Sequence, residues 1–197
     1  IKYLDNLHGS STHAGLIKVC HRENIGISFG SFNHAYEMFR EEYDYWFFSE
    51  DDLITNLEGY YSQFVNQLNA KEDLAFVALV GTNPTREGEH AHNGAGCTSR
   101  YYLQKVYEAN NRLPYHNAPG MPSRDVTSQQ DRQQFWKQHI YKGEIPFTNC
   151  HIQMGYTVEK FSGEKPYIRW IKGKSEVLDM VEWGRGDYVN DIPEAYV

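Results

Sequence analysis

An aromatic run that leads directly into three acids constrains this chain more than any other feature. The run Tyr45-Trp46-Phe47-Phe48 lies between polar residues, and a continuous apolar segment of this kind predicts a strand covered on both faces. Glu50, Asp51 and Asp52 follow it. Neighbouring carboxylates repel one another unless a cation or protons neutralise them. Oxygen ligands at the end of a strand suit Mg²⁺ or Mn²⁺, and a solvated acidic loop is the alternative.

The composition limits the class of protein. With 197 residues the chain can form one domain with a sizeable core, and its net charge of -7 argues against a general nucleic-acid binder. Three widely spaced cysteines fit neither a metal motif nor a disulfide framework, so we expect reduced thiols and a cytoplasmic location. The sequence has no apolar run long enough to span a bilayer.

Apolar strands alternate with amphipathic helices in the first half of the chain. Strands are predicted at 1–6, 16–20, 43–49 and 74–80. Helices are predicted at 31–39 and from a cap at Thr55 or Asn56 to about Leu68. Strands that are apolar throughout predict an α/β fold with a mainly parallel sheet and helices on both faces. Ligands of such sheets bind at the carboxyl ends of the strands, where Asp5 and the three acids are expected.

The second half is less regular. A loop is predicted at 83–96, helices at 99–109, 127–142 and 146–154, and strands at 156–161 and 167–171. Gly143 is expected to end the helix at 127–142, and Pro146 suits the first turn of the next.

Short motifs occur in a fixed order along this pattern. Asp5 is followed by Gly9-Ser10-Ser11-Thr12, then Asn24-Ile25-Gly26 leads into a helix, and Glu50-Asp51-Asp52 comes one helix later. Further on, Gly143-Glu144 precedes a short helix that ends in Gly155-Tyr156. Over about residues 1–175 the chain resembles glycosyltransferases of the GT-A fold, close to the inverting family 2, with Glu-Asp-Asp as a variant of the Asp-x-Asp motif.

The resemblance implies one GT-A-like, Rossmann-related catalytic domain over 1–197. Residues 1–82 would bind the nucleotide sugar, 83–175 would form the acceptor half, and 176–197 would be a C-terminal arm. The family has a further strand and helix before this point, so either a longer parent protein or a trimmed variant is expected. Ile145 also replaces the aspartate of the family's Gly-Glu-Asp motif.

The resemblance also assigns roles to individual residues. Asp52 and, more weakly, Glu50 would bind Mn²⁺ or Mg²⁺, and Glu144 would be the general base with Asp125 as its rival. Residues expected to bind the donor are Asp5, Asn24, Gly26, Asp51, Asn93 and Gly94. For each of these residues a turn, a helix cap or a solvated surface position is the alternative.

These roles imply a metal-dependent transferase. It would move a sugar from a nucleotide diphosphate donor, with UDP expected, to a glycan or protein hydroxyl. Inversion is expected, and a retaining mechanism stays open. The alternatives are a non-catalytic nucleotide- or carbohydrate-binding module of the same fold and a metal-dependent phosphohydrolase that uses the same acids.

Overall fold

The computed structural model describes residues 2–12, 15–49, 53–55, 58–79, 82–85, 88–91, 95–117, 119, 128–163, 167–171 and 174–177. Its helices are α1 Lys2–Leu7, α2 Ile27–Phe39, α3 Tyr60–Leu68, α4 Arg100–Asn110, α5 Gln129–His139 and α6 Ile145–Gln153, with a π-helical turn at Ile140–Glu144. Its strands are β1 Ser11–Thr12, β2 Gly15–Leu16, β3 Tyr45–Phe48, β4 Leu53–Thr55, β5 Leu74–Ala78, β6 Thr82–Thr85, β7 Gly88–Ala91, β8 Gly96–Ser99, β9 Thr157–Lys160, β10 Tyr167–Ile171 and β11 Lys174–Val177.

A four-stranded sheet organises this mixed α/β fold. Its strand order is β3-β8-β5-β9, and β8 is antiparallel to both of its neighbours while β5 and β9 are parallel. Three of the four strands therefore point the same way, with β8 reversed between two of them. The carboxyl ends of β3, β5 and β9 meet at one side of the sheet, which we call the carboxyl edge.

The expectation of a mainly parallel sheet is wrong for the described strands. Every strand pair except β5 with β9 is antiparallel, including the β1-β2 and β6-β7 hairpins and the three-stranded sheet β11-β10-β4. The prediction failed at β8, because Gly96-Cys97-Thr98-Ser99 lacks the apolar run of its neighbours. Its residues Gly96, Cys97 and Thr98 are nevertheless buried between β3 and β5.

Two further expectations are also wrong. Asp5 lies in helix α1 and not at the end of a strand, because apolar residues in so short a segment fit either period. The expected loop at 83–96 contains the β6-β7 hairpin and the first residue of β8. Pro84 is accommodated because a two-stranded hairpin consists of edge strands alone.

Helices cover both faces of the four-stranded sheet, as predicted. Successive strand side chains point to opposite faces, so Phe48 and Phe76 face α2, α4 and α6 while Phe47 and Val77 face α3. Each face carries its own core cluster, and the larger one contains residues of α2, α4 and α6. Within the described part of the chain, no helix is long and apolar enough to cross a membrane.

Two buried histidines belong to the larger face of the core. His139 is 3% exposed and His151 is fully buried, with its Nδ1–H donating to the Phe147 carbonyl at 3.0 Å. Burial, with a smaller contribution from His116, lowers the pKa of His139 to about 4. Burial also lowers the pKa of His151 to about 4. Both imidazoles are therefore neutral at neutral pH.

Acidification is expected to destabilise this fold through His139 and His151. Their folded-state pKa values of about 4 lie below the ordinary value of 6.5, so the unfolded chain takes up protons first as the pH falls. Their contribution to stability is complete above pH 6.5 and is lost between pH 6.5 and 4, at about 1.4 kcal/mol per pH unit for each histidine. Urea unfolding followed by tryptophan fluorescence measures this slope.

A variant separates the two histidines. In His151→Leu the slope should fall to the share of His139 alone, while the unfolding transition stays cooperative. A slope of wild-type size in this variant would contradict the assignment.

Candidate active site at the carboxyl edge

Helix α2 begins with two consecutive residues in the left-handed region. Gly26 has φ 75° and ψ 15°, and Ile27 has φ 46°. Left-handed backbone costs a β-branched residue about 1–2 kcal/mol, so the surrounding structure must hold Ile27 in place. The helix has no side-chain cap and no acid in its first turn. Its first N–H groups therefore present partial positive charge.

A loop crosses the start of α2 at close range. A Cβ at Gly26 would lie 2.4 Å from Tyr115 Cδ2 and 2.9 Å from the His116 carbonyl oxygen. Ile25 forms a β-bridge with Pro119 on the same loop. The Arg112 guanidinium stacks 4.4 Å from the centre of the Tyr115 ring, which adds a cation to this side of the helix start.

Aromatic rings join the start of α2 to the carboxyl edge. Phe29 packs against Phe147 at 5.5 Å between ring centres and against His139 at 5.3 Å. Phe48, the last residue of β3, packs against Phe32 at 4.5 Å and against Phe147 at 5.6 Å. The first turn of α2, the end of β3 and the first turn of α6 thus share one cluster of buried rings. We call these rings, Phe29, Phe32, Phe48 and Phe147, the aromatic joint.

Glu144 lies beside this joint on the π-helical turn. The turn is defined by the Ile145 N–H, which donates to the Ile140 carbonyl five residues back, and Glu144 is 2% exposed. A Cβ at Gly143 would lie 3.0 Å from Phe29 Cδ2, so glycine at this position permits the close approach. The prediction that Gly143 ends a helix is therefore wrong. Helical structure continues through Gly143 from α5 into α6. π-Helical turns are frequent at functional sites.

The ends of β7 and β8 are anchored near the same turn. The Ala91 N–H donates to Thr148 Oγ1 at 2.8 Å, and the Leu79 N–H donates to the Ala95 carbonyl at 2.9 Å. Thr148 Oγ1 itself donates to the Glu144 carbonyl at 3.4 Å. Asn93 and Gly94, which were predicted to bind the donor, lie outside the described residues.

The three acids that follow β3 in the sequence also lie outside the described residues. This applies to Glu50, Asp51 and Asp52, and to the rival base Asp125. In the sequence the three acids stand between Phe48, which ends β3 at the carboxyl edge, and Leu53, which begins β4. The described residues contain no group of three His, Cys, Asp or Glu side chains that could hold a metal ion. The metal site therefore stays a prediction.

The other residues predicted to bind the donor lie in two separate places. Gly26 is buried at the start of α2, and Asn24 is exposed two residues before it. The Asp5 carboxylate lies 2.5 Å from His21 Nε2. His21 lines a cleft of about 480 Å³ under α2 together with Lys18 and Phe39. Asp5 is therefore tied to this cleft and not to the end of a strand.

Several residues of this site were not singled out from the sequence. They are Ile27, Phe29, Phe147 and Thr148. Phe29 could have been found from its spacing of three to Phe32, which places both rings on one face of α2. The left-handed Ile27 has no signal in the sequence, since a β-branched residue there depends on its surroundings.

Comparison of the chain with protein-family models, with curated proteins and with solved structures finds no match.

Gly26→Ala is expected to destabilise the protein more than Gly59→Ala. Both glycines precede a helix in the left-handed region, with φ 75° and 68°, but a Cβ at Gly59 meets nothing within 4 Å. Each substitution should cost about 1–2 kcal/mol from the backbone, and Gly26→Ala about 1–3 kcal/mol more from overlap with Tyr115 and His116. Chemical unfolding of the two variants measures the difference. Equal losses would show that the loop does not press on α2.

Proposed function

We propose that this protein is a metal-dependent glycosyltransferase of the GT-A type, acting on a nucleotide diphosphate sugar. The observation that carries the proposal is the convergence at the aromatic joint. It brings the uncapped start of α2, the end of the strand that leads to the three acids, and the buried Glu144 turn to one edge of the sheet. A donor with two phosphates requires both positive groups and a cation held by oxygen ligands.

The start of α2 suits the phosphates of the donor. Its first turn, which has no side-chain cap and no acid, and the nearby Arg112 supply positive charge. Asn24, which is exposed, would contact the nucleotide, whereas the loop at Tyr115 and His116 covers Gly26 and leaves it the role of starting the helix. Asp51, Asn93 and Gly94 would contact the donor sugar. Asp5 lies beside His21, on a cleft lined by Phe39 at the other end of α2, so its predicted contact with the base or ribose is not part of this proposal.

Asp52 and Glu50 would hold the cation. Their oxygen ligands fit Mn²⁺ or Mg²⁺, and a bound cation would offset the repulsion between the neighbouring carboxylates. When bound, the metal would neutralise charge on the departing diphosphate.

Glu144 is the proposed general base. Its carboxylate would accept the proton of the acceptor hydroxyl as the oxygen attacks the anomeric carbon, which gives inversion. The turn that carries it is held against Phe29 and Thr148, so its backbone position is defined. Asp125 keeps the same role as the alternative base.

One observation favours a second function. Glu144 is 2% exposed, and an acceptor hydroxyl must reach the carboxylate for transfer to occur. A non-catalytic module that binds nucleotides or carbohydrates would need no such access. Incubation with the donor alone distinguishes the functions by product: a transferase releases UDP slowly, a phosphohydrolase releases phosphate, and a binding module releases neither.

Calorimetric titration with UDP tests the donor site directly. UDP should bind at least tenfold more tightly with Mn²⁺ than without it, because the cation bridges the protein acids and the phosphates. Asp52→Ala should abolish the Mn²⁺ dependence, whereas Glu58→Ala, which removes an exposed acid of the same charge, should keep it. Equal affinity with and without Mn²⁺ would overturn the metal assignment.

Glu144→Gln should lower kcat about 10²–10⁴-fold while KM for the donor changes little, because the amide keeps the shape but accepts no proton. Glu108→Gln makes the same change on the exposed side of α4 and should leave both constants as they are. Transfer rates are measured by UDP release in the presence of acceptor. If Glu144→Gln retains full kcat, Asp125→Asn becomes the variant to test.

A further inference from the structure

One buried hydroxyl connects the Glu144 turn to the β6-β7 hairpin. Thr148 is 1% exposed, and its Oγ1 accepts a hydrogen bond from the Ala91 N–H at 2.8 Å while donating to the Glu144 carbonyl at 3.4 Å. A hydroxyl has one donor and two acceptor positions, so both bonds can exist together. The side chain therefore links two segments that lie 57 residues apart in the sequence.

The link lies in an apolar part of the core. Ala91 is fully buried and belongs to the same cluster as Phe29 and Phe147. A buried backbone N–H requires an acceptor, and Thr148 Oγ1 accepts from the Ala91 N–H. Removal of the hydroxyl would leave that N–H without its acceptor, because no water can replace it in an apolar cluster without polar partners.

The other end of the link lies where the helix is irregular. The backbone changes there from the five-residue spacing of the π-helical turn to the ordinary spacing of α6, and the Glu144 carbonyl is at this junction. Irregular helical turns are less constrained by their own hydrogen bonds than continuous α-helix. An additional bond from a side chain therefore has more influence on the position of Glu144 here than it would in mid-helix.

We propose that Thr148 is a positioning residue, which fixes the Glu144 turn against the end of β7. The role in turnover rests on the proposed function, whereas the link itself does not. Thr148 acts on the reaction through the backbone of Glu144 and touches neither the donor nor the acceptor. The hairpin strand β7 and the general base are then held in one fixed arrangement.

Thr148→Val and Thr148→Ser form a matched pair for the test. Valine has nearly the same shape and neither hydrogen bond, and serine keeps the hydroxyl. Hydrogen exchange at the Ala91 amide should be about tenfold or more faster in Thr148→Val and within about threefold of wild type in Thr148→Ser. The Phe76 amide in β5 reports global opening, and a change confined to Ala91 shows that the effect is local.

Two further measurements test whether the loss of the Thr148 hydroxyl changes the position of Glu144. The titration midpoint of the Glu144 carboxyl, observed by carbon NMR, should move by about 0.5 pH unit or more in Thr148→Val and return in Thr148→Ser. In the transfer assay kcat should fall about tenfold in the valine variant with KM for the donor nearly unchanged, and serine should restore it. The proposal is overturned if valine and serine behave alike at Ala91, or if Ala91 is released while the Glu144 midpoint stays at the wild-type value.

Failure of the proposed function gives a different result. In that case the wild-type protein transfers no sugar, and exchange at Ala91 together with the Glu144 titration still decides whether Thr148 holds the turn.

Discussion

Edge-to-face packing between Phe29, Phe48 and Phe147 is the interaction on which the candidate site depends. Phe29 and Phe48 come from the consecutive elements α2 and β3, whereas Phe147 comes from α6 in the second half of the chain. Burial of a phenylalanine of this kind stabilises a fold by about 3–5 kcal/mol relative to alanine, a large fraction of the stability of a small domain. The same rings that stabilise the core therefore also set the position of the helix start relative to the π-helical turn.

The charges around this arrangement favour one class of ligand. The start of α2 has no capping side chain and no acid in its first turn, so its partial positive charge is available to an anion. The chain that leaves β3 enters the acidic triplet, which under the proposed function would require a cation. An anionic ligand that also carries a divalent cation satisfies both requirements at once. A buried carboxylate on the adjacent turn then adds a group that can exchange a proton.

Strong local patterns in the sequence predicted much of this fold. The strands around Phe47, Phe76 and Val158 and the helices around Tyr36 and Leu103 follow from apolar runs and from spacings of three and four. The reversed strand β8 did not follow, since Gly96 begins it and Cys97 and Thr98 are weak strand signals. Its place between β3 and β5 is determined by long-range pairing, on which local sequence has little influence.

The site was also predictable only where local sequence patterns mark its residues. Glu144 and Gly26 were predicted as site residues because short motifs mark them; Gly26 lies at the start of the helix that carries Phe29, and the turn that carries Glu144 packs against Phe29. Ile27 and Thr148 were missed, because a left-handed isoleucine and a bridging hydroxyl arise only from tertiary contacts. Asp5 was assigned to a strand end on a six-residue pattern that fits a helix equally well.

Paramagnetic line broadening by Mn²⁺ with UDP tests most directly whether these elements form one site. The amide signals of Ile27, Ala95 and Glu144 are expected to broaden together, since all three lie near the carboxyl edge. The signals of Tyr101 and Thr157 should stay sharp, because these residues lie at the opposite side of the sheet, beside the amino ends of β3 and β5. Broadening at Ile27 without broadening at Glu144, or equal broadening at both sides of the sheet, would show that the start of α2 and the Glu144 turn do not form one site.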